Sequence, residues 1–359
     1  IGDSCPHAPF FPLWIGLGKL VHAFGVGPAA SLMLLSAVLS VLMLGPLVEL
    51  WSRLVRRDLA LLAAVAGLMV PGVWLHASRA FSGTAATFFL VLALALWARP
   101  GSKFLAAGSI AAGAAILVRP HVAAAVVVVT ALMMARRDRR ERVVLVAPAA
   151  ALVAVGFVVF TLAAGGVAEA LFVWSAHAAQ HFGLLGEADR GLFESGLARL
   201  FVSPAAMAAW LAHAAAGIIR ALRSTVGREV TVQVLGALVA LAVVVFGLSD
   251  PGHPRYSVPL VVLSSGLVVV GLEWMLGRRW SLAVGIAAVV ACIAFTAPSI
   301  PDLRDRPSPP VRALAEADEL AVRRDGVVVV DRRLHAFVVY REAIGELLAP
   351  VSFDHRLGL

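Results

Sequence analysis

The chain has 359 residues, of which 60% are hydrophobic and only 14% charged, with a mean hydropathy of +0.91. A soluble domain of this length needs far more polar surface, so the composition excludes one and assigns a polytopic membrane protein. The net charge of +8 does not call for nucleic acid, because half of the thirty basic residues fall in loops where membrane topology and anionic lipid headgroups account for them.

Residues 1–27 begin polar and continue as an apolar stretch carrying Lys19 and His22, the pattern of a helix lying in the membrane interface. The first residue is Ile1 and not Met, on the outer side by the charge argument below. An external start needs a translocation signal. At least one N-terminal span and the start of the first external loop are therefore expected before Ile1, a cleaved signal peptide being the competing explanation. About ten apolar stretches follow, near 28–51, 59–78, 83–98, 103–119, 121–135, 143–165, 203–221, 230–248, 257–277 and 280–298. A bilayer-crossing helix needs about 20 such residues. The fifth is short, and Pro120 before it marks a tight turn. Residues 166–202 form the longest loop between spans.

Residues 299–359 form a tail that opens with a Pro-rich linker through Pro310. A helix over 311–322, a strand around Val327–Val330 and a helix near 341–348 are expected in it. It is too short for a large core, so a small α/β cap is the expectation. The fold class is thus an all-α polytopic membrane domain (28–298) with a small external C-terminal domain. No internal repeat of the kind seen in transporters is visible. Cys5 and Cys292 lie in the leading segment and in a span, so no disulfide is expected.

Arginine sets the orientation. Arg53, Arg56 and Arg57, then Arg99 and Lys103, then Arg136, Arg137, Arg139, Arg140 and Arg142, then Arg220, Arg223 and Arg228, then Arg278 and Arg279 load every second loop. Cytoplasmic loops carry such an excess. Residue 1, the 166–202 loop and the tail are therefore placed outside. Ala, Val, Leu, Gly and Arg usage suits a GC-rich bacterial genome, so the expected location is the bacterial inner membrane, with the chemistry on the periplasmic side.

The outer polar residues are few. Asp3 to Pro12 reads D-S-C-P-H-A-P-F-F-P, where His7 could orient a ligand or the prolines could simply lead into the interfacial helix. Arg79, after His76, and Arg119, before Pro120 and His121, stand against the charge bias. A guanidinium fork suits phosphate, and snorkelling to the interface is the alternative. In the long loop His177 and His181 share a helical spacing but lack the Glu of a zinc H-E-x-x-H motif. Glu187 and Asp189 are either candidate bases or solvated charges. Asp250-Pro-Gly-His253-Pro254-Arg255-Tyr256 packs an acid, an imidazole, a guanidinium and a phenol into one turn, more than a bland turn needs. Span interiors hold few ionisable groups, which weighs against ion-coupled transport.

Taken in order, these elements resemble the GT-C glycosyltransferases, especially the bacterial relatives of protein O-mannosyltransferases and lipid A aminoarabinose transferase. His7-Ala8-Pro9-Phe10-Phe11 is similar to the family's H-P-P-(L/F)-(Y/F) segment. Leu117-Val118-Arg119-Pro120 is similar to its L-(T/V)-(K/R)-P element, and Arg255-Tyr256-Ser257-Val258-Pro259 to its R-Y-x-x-P motif. The chain departs from the pattern in two places. Asp3 is the only acid before His7, and Ser78-Arg79-Ala80-Phe81-Ser82-Gly83-Thr84 has no acid where the family often has an Asp.

The resemblance implies an inverting transfer of a sugar from a polyprenyl-phosphate donor to an acceptor hydroxyl on a lipid, glycan or protein at the outer face. It implies no nucleotide sugar and no cofactor, and no metal-ligand cluster is visible in the sequence. Arg119 and Arg255, with Arg79, would meet the carrier phosphate; His7, His121, His253 and Tyr256 would bind substrate; Asp3, Glu187 and Asp189 are the candidate bases. The rival readings are a lipid or polysaccharide transporter or flippase, and an O-antigen ligase or polymerase.

Overall fold

A computed structural model describes residues 11–78, 81–182, 195–248, 254–298, 309–324, 327–331 and 351–354. The chain divides into a large unit, Cys5–Ile293, and a smaller one made of Ile1–Ser4 and Ala294–Leu359.

In the large unit α1 (Pro12–His22) begins on a proline and ends with Lys19 and His22 in its last turn, where cations complement the carbonyl end of the helix. The next two helices, α2 (Pro28–Leu42) and α3 (Leu44–Trp51), run on almost without a break. At the junction of α4 (Arg57–Met69) and α5 (Pro71–Ala77) the axis bends by 73°. Pro71 lacks an N–H and pushes Val70 out of the helical region, to ψ 126°. The stretch expected as one span at 59–78 is therefore a bent pair.

Next come α6 (Ser82–Trp97), α7 (Ser102–Val118), a one-turn 3₁₀ segment (Pro120–Val122) and α8 (Ala123–Met134). They lead to α9 (Arg139–Ala164) and α10 (Val167–Phe182). Asp138 caps α9 by accepting from the Glu141 N–H at 2.8 Å, so the helix starts among the arginines rather than at the first apolar residue. The loop expected over 166–202 begins instead with α10. Then follow α11 (Pro204–Arg223), capped by Ser203, and α12 (Arg228–Val243). Last is α13 (Pro254–Thr296), whose single non-helical residue is Gly277 at φ 73°.

Each of the ten apolar stretches thus lies on a helix or a bent pair. Five helices among the described residues are long and apolar enough to cross a membrane, six with the bent pair, and three more are apolar but shorter. The 257–277 and 280–298 stretches are two helical segments that meet directly at a kink at Gly277, without an intervening loop.

Small residues let these helices approach. Gly217 of α11 and Gly271 of α13 face each other's backbone so closely that a Cβ on either would collide with it. Gly266 lies against the Trp51 ring, and Gly113 of α7 against Ala149 of α9. Buried polar groups pair across helices: the Ser109 hydroxyl donates to the Leu145 carbonyl at 2.6 Å, and Trp210 Nε1 to the Ser264 hydroxyl at 2.8 Å.

Ion pairs join the Arg-rich loops. Glu49 accepts from Arg53 at 2.9 Å and pairs with Arg99 at 3.2 Å. Arg137 reaches Glu229 at 3.4 Å, and Arg278 bonds Asp58. The first Arg-rich loop is thereby tied to the second and fifth, and the third to the fourth.

The smaller unit holds α14 (Pro309–Arg323) and two strands, β1 (Val328–Asp331) and β2 (Val351–Asp354). The strands pair in parallel, with Val328 opposite Val351 and Asp331 opposite Asp354. The helix expected near 341–348 lies outside the described residues.

Candidate anion site at three helix ends

Arg119 follows the last residue of α7. Pro120 comes next, and the residue before a proline is driven towards extended backbone; Arg119 has φ −159° and ψ 106°. That break ends α7 and turns the guanidinium out of the helix line. It is 6% exposed. Its Nη1 donates to the Ser82 hydroxyl, at the first residue of α6, at 3.2 Å. Its Cζ lies 4.9 Å from the Tyr256 ring centroid and 6.0 Å from that of Phe11.

Arg255 and Tyr256 sit in the first turn of α13, just after Pro254, a residue suited to a helix start. Arg255 Cζ is 5.0 Å from the same Tyr256 ring, and its Nη2 donates to the Tyr256 hydroxyl at 3.3 Å. His121 meets the Tyr256 ring edge-on, centroids 5.4 Å apart at 84°. One phenol therefore contacts two guanidiniums and an imidazole. Gly83 lies beside both: a Cβ there would sit a tight 3.3 Å from the Arg255 carbonyl and 3.6 Å from Arg119 Nη1.

Neither Arg119 nor Arg255 has a carboxylate partner among the described residues. They repel each other, and burial strips Arg119 of water, which is costly for an unpaired ion. Both ring nitrogens of His121, Nε of Arg255 and the hydroxyls of Thr84 and Ser257 are buried without a hydrogen-bond partner. Buried polar atoms are usually satisfied, and five of the ten exceptions among the described residues belong to these helix ends. The N-termini of α6 and α13 meet there as well, each with its positive dipole end. Two cations, two helix N-termini and several unpartnered polar atoms make an arrangement suited to receive an anion.

No known protein family and no curated sequence matches the chain. Solved structures do. ArnT from Cupriavidus metallidurans bound to undecaprenyl phosphate superposes with a TM-score of 0.58 at 17% identity, over 81% of this chain and 56% of that one. The Archaeoglobus fulgidus oligosaccharyltransferase in complex with Zn and sulfate gives 0.55 at 16% identity, over 88% and 48%. The same enzyme tethered to an acceptor peptide gives 0.51 at 14%, over 86% and 49%. The chain shares its fold with ArnT and with this oligosaccharyltransferase. The chain spans about half the length of the GT-C structures it matches.

Of the residues singled out from the sequence, the structure brings together Arg119, His121, Arg255 and Tyr256. Asp3, His7, Arg79, Glu187, Asp189 and His253 lie outside the described residues. His177 and His181 fall on α10, with side chains likewise outside them. Sequence reading passed over Ser82 and Gly83. The available signal was a pair of small residues at the start of a span, within the segment already noted for Arg79.

Proposed function

We propose that the chain is the membrane part of an inverting glycosyltransferase. It takes a sugar from a polyprenyl-phosphate carrier and passes it to an acceptor hydroxyl at the outer membrane face. The observation that carries this reading is the pair of guanidiniums, Arg119 and Arg255, held against Tyr256 without a carboxylate among the described residues. In the transfer the acceptor oxygen bonds the anomeric carbon, the bond from that carbon to the phosphate oxygen breaks, and the carrier leaves as a phosphate. Charge develops on that phosphate, and positioned cations stabilise it most where water is excluded. His121 and Tyr256, with His7, Arg79 and His253, complete the substrate contacts. The acceptor proton goes to a carboxylate drawn from Asp3, Glu187 and Asp189. The acceptor is a lipid, glycan or protein, and the donor reaches the site through membrane lipid without a nucleotide or other cofactor.

The test uses membranes containing the full-length protein and a panel of radiolabelled polyprenyl-phosphate sugars. Wild type should release sugar from a carrier, and Arg255→Ala should slow that release about 10²–10³-fold, the usual loss for one transition-state donor. If no donor is consumed while lipid-linked material still crosses the bilayer, the chain is a transporter. Transfer of a long preassembled glycan would make it a ligase.

A further inference from the structure

At the other end of the helices, among the Arg-rich loops, a groove of about 740 Å³ opens between α3 and the start of α4. That volume falls within the roughly 300–1,000 Å³ of clefts that hold small molecules. One wall is apolar, made by Leu44, Val48 and Leu61, and Gly45 leaves open space beside it. Leu61 is 50% exposed, and Val41 and Leu42, at the end of α2, continue the exposed apolar surface. The far end is polar, with Glu49, Ser52, Arg57 and Asp58.

The charges there are not balanced. Glu49 is held by Arg53 and Arg99, and Asp58 by Arg278, with Arg56 3.9 Å away. Both carboxylates are thus already countered. Arg57 is exposed and has no ion pair among the described residues. An apolar trough ending in an unpaired guanidinium, amid an excess of positive charge, suits an amphiphile with an anionic head. A soluble anion would leave the trough wall bare, and a neutral lipid would leave Arg57 uncountered.

We propose that this groove binds an anionic glycerophospholipid of the adjoining leaflet, with an acyl chain along Leu44, Val48 and Leu61 and the phosphate on Arg57. The guanidinium fork matches phosphate oxygens, and the leaflet facing Arg-rich loops is the anionic one. The site shares no residue with Arg119 or Arg255, so it stands apart from the transfer reaction.

The full-length protein is purified in detergent, and binding of phosphatidylglycerol, phosphatidylcholine and inorganic phosphate is measured by native mass spectrometry and by the shift in unfolding temperature. Phosphatidylglycerol should bind about tenfold tighter than phosphatidylcholine, the factor for one charge-assisted contact. Arg57→Gln should erase that preference, and Leu61→Gln should weaken both lipids. Inorganic phosphate should give no shift, and because the readout is a lipid preference rather than sugar release, this test stands whatever the sugar assay shows. Equal binding of the two lipids, a preference that survives Arg57→Gln, or a shift reproduced by inorganic phosphate would overturn the proposal. The two variants alter opposite ends of the groove at exposed positions, so a folding failure in one leaves the other as the test.

Discussion

Replacing Arg119 with methionine separates an anion receptor from a structural cation, because the two predict opposite signs. The substitution keeps an unbranched chain of similar reach. It removes the 3.2 Å hydrogen bond to Ser82, a contribution of about 1 kcal/mol, and the contact with the Tyr256 ring at 4.9 Å, about 1–2 kcal/mol when desolvated. It also ends the repulsion from Arg255 and the burial of a charge that is only 6% exposed, which costs several kcal/mol without a counter-ion, and none is present among the described residues. The balance predicts a folded state at least as stable as wild type. Affinity for the carrier phosphate should nevertheless fall about 10- to 100-fold, the loss of a charge-assisted contact. Thermal unfolding in detergent gives the first quantity and equilibrium binding of undecaprenyl phosphate the second. An Arg119→Met protein destabilised by more than ~2 kcal/mol, with carrier binding unchanged, would refute the reasoning, since the guanidinium would then be a strut and not a receptor.

Tyr256→Phe keeps the ring beneath both guanidiniums and removes only the hydroxyl that accepts from Arg255 at 3.3 Å; carrier binding should weaken about three- to tenfold, whereas Tyr256→Ala should lose far more in the same titration. Gly83→Val should cost about tenfold in carrier affinity with helix content by circular dichroism unchanged, because a Cβ there would lie 3.3 Å from the Arg255 carbonyl and 3.6 Å from Arg119 Nη1 and the branch adds atoms that displace the guanidinium. Gly277→Ala should destabilise by about 1–3 kcal/mol, the cost of placing a side chain at a φ of 73° and ψ of 164°; an unchanged denaturation midpoint would mean that the break in α13 does not depend on this glycine.

What the sequence made legible followed from local physics. Runs of apolar residues fixed where helices lie, since a backbone in lipid must satisfy its own hydrogen bonds. Their ends were less legible where one residue decides the geometry. Arg278 and Arg279 read as a loop, yet the helix resumes at once because Gly277 alone absorbs the change of direction. The 59–78 stretch read as one span, yet Pro71 bends it by 73°. The start of α9 moved into the charged segment because Asp138 caps it. At the site, Arg119, Arg255 and Tyr256 were legible because their polarity runs against the charge bias of an outer surface. Ser82 was not. A serine opening a helix reads as a cap, but its hydroxyl instead accepts from Arg119, thirty-seven residues later, a pairing that no local pattern encodes.

The chain uses arginine in two ways, and the cost of each explains the arrangement. Those in the loops are cheap to place. Arg53, Arg99 and Arg278 keep a third or more of their side chains exposed and rest on Glu49 or Asp58, so their removal would change little beyond topology and loop ties. Arg119 is expensive to place: it is buried, faces a second cation, and among the described residues meets the Ser82 hydroxyl and Tyr256 but no carboxylate. The two sets are separated by the length of α6, sixteen residues or about 24 Å. Topology needs no arginine at the Ser82 end, and packing disfavours one there. A residue held against both tendencies is best explained by a partner of opposite charge. The N-termini of α6 and α13 meet at that end, so the backbone adds to the same preference. Among the described residues no carboxylate meets these guanidiniums, so under the proposed reaction a lipid-borne phosphate arriving through the surrounding membrane would supply the opposite charge without first crossing apolar protein.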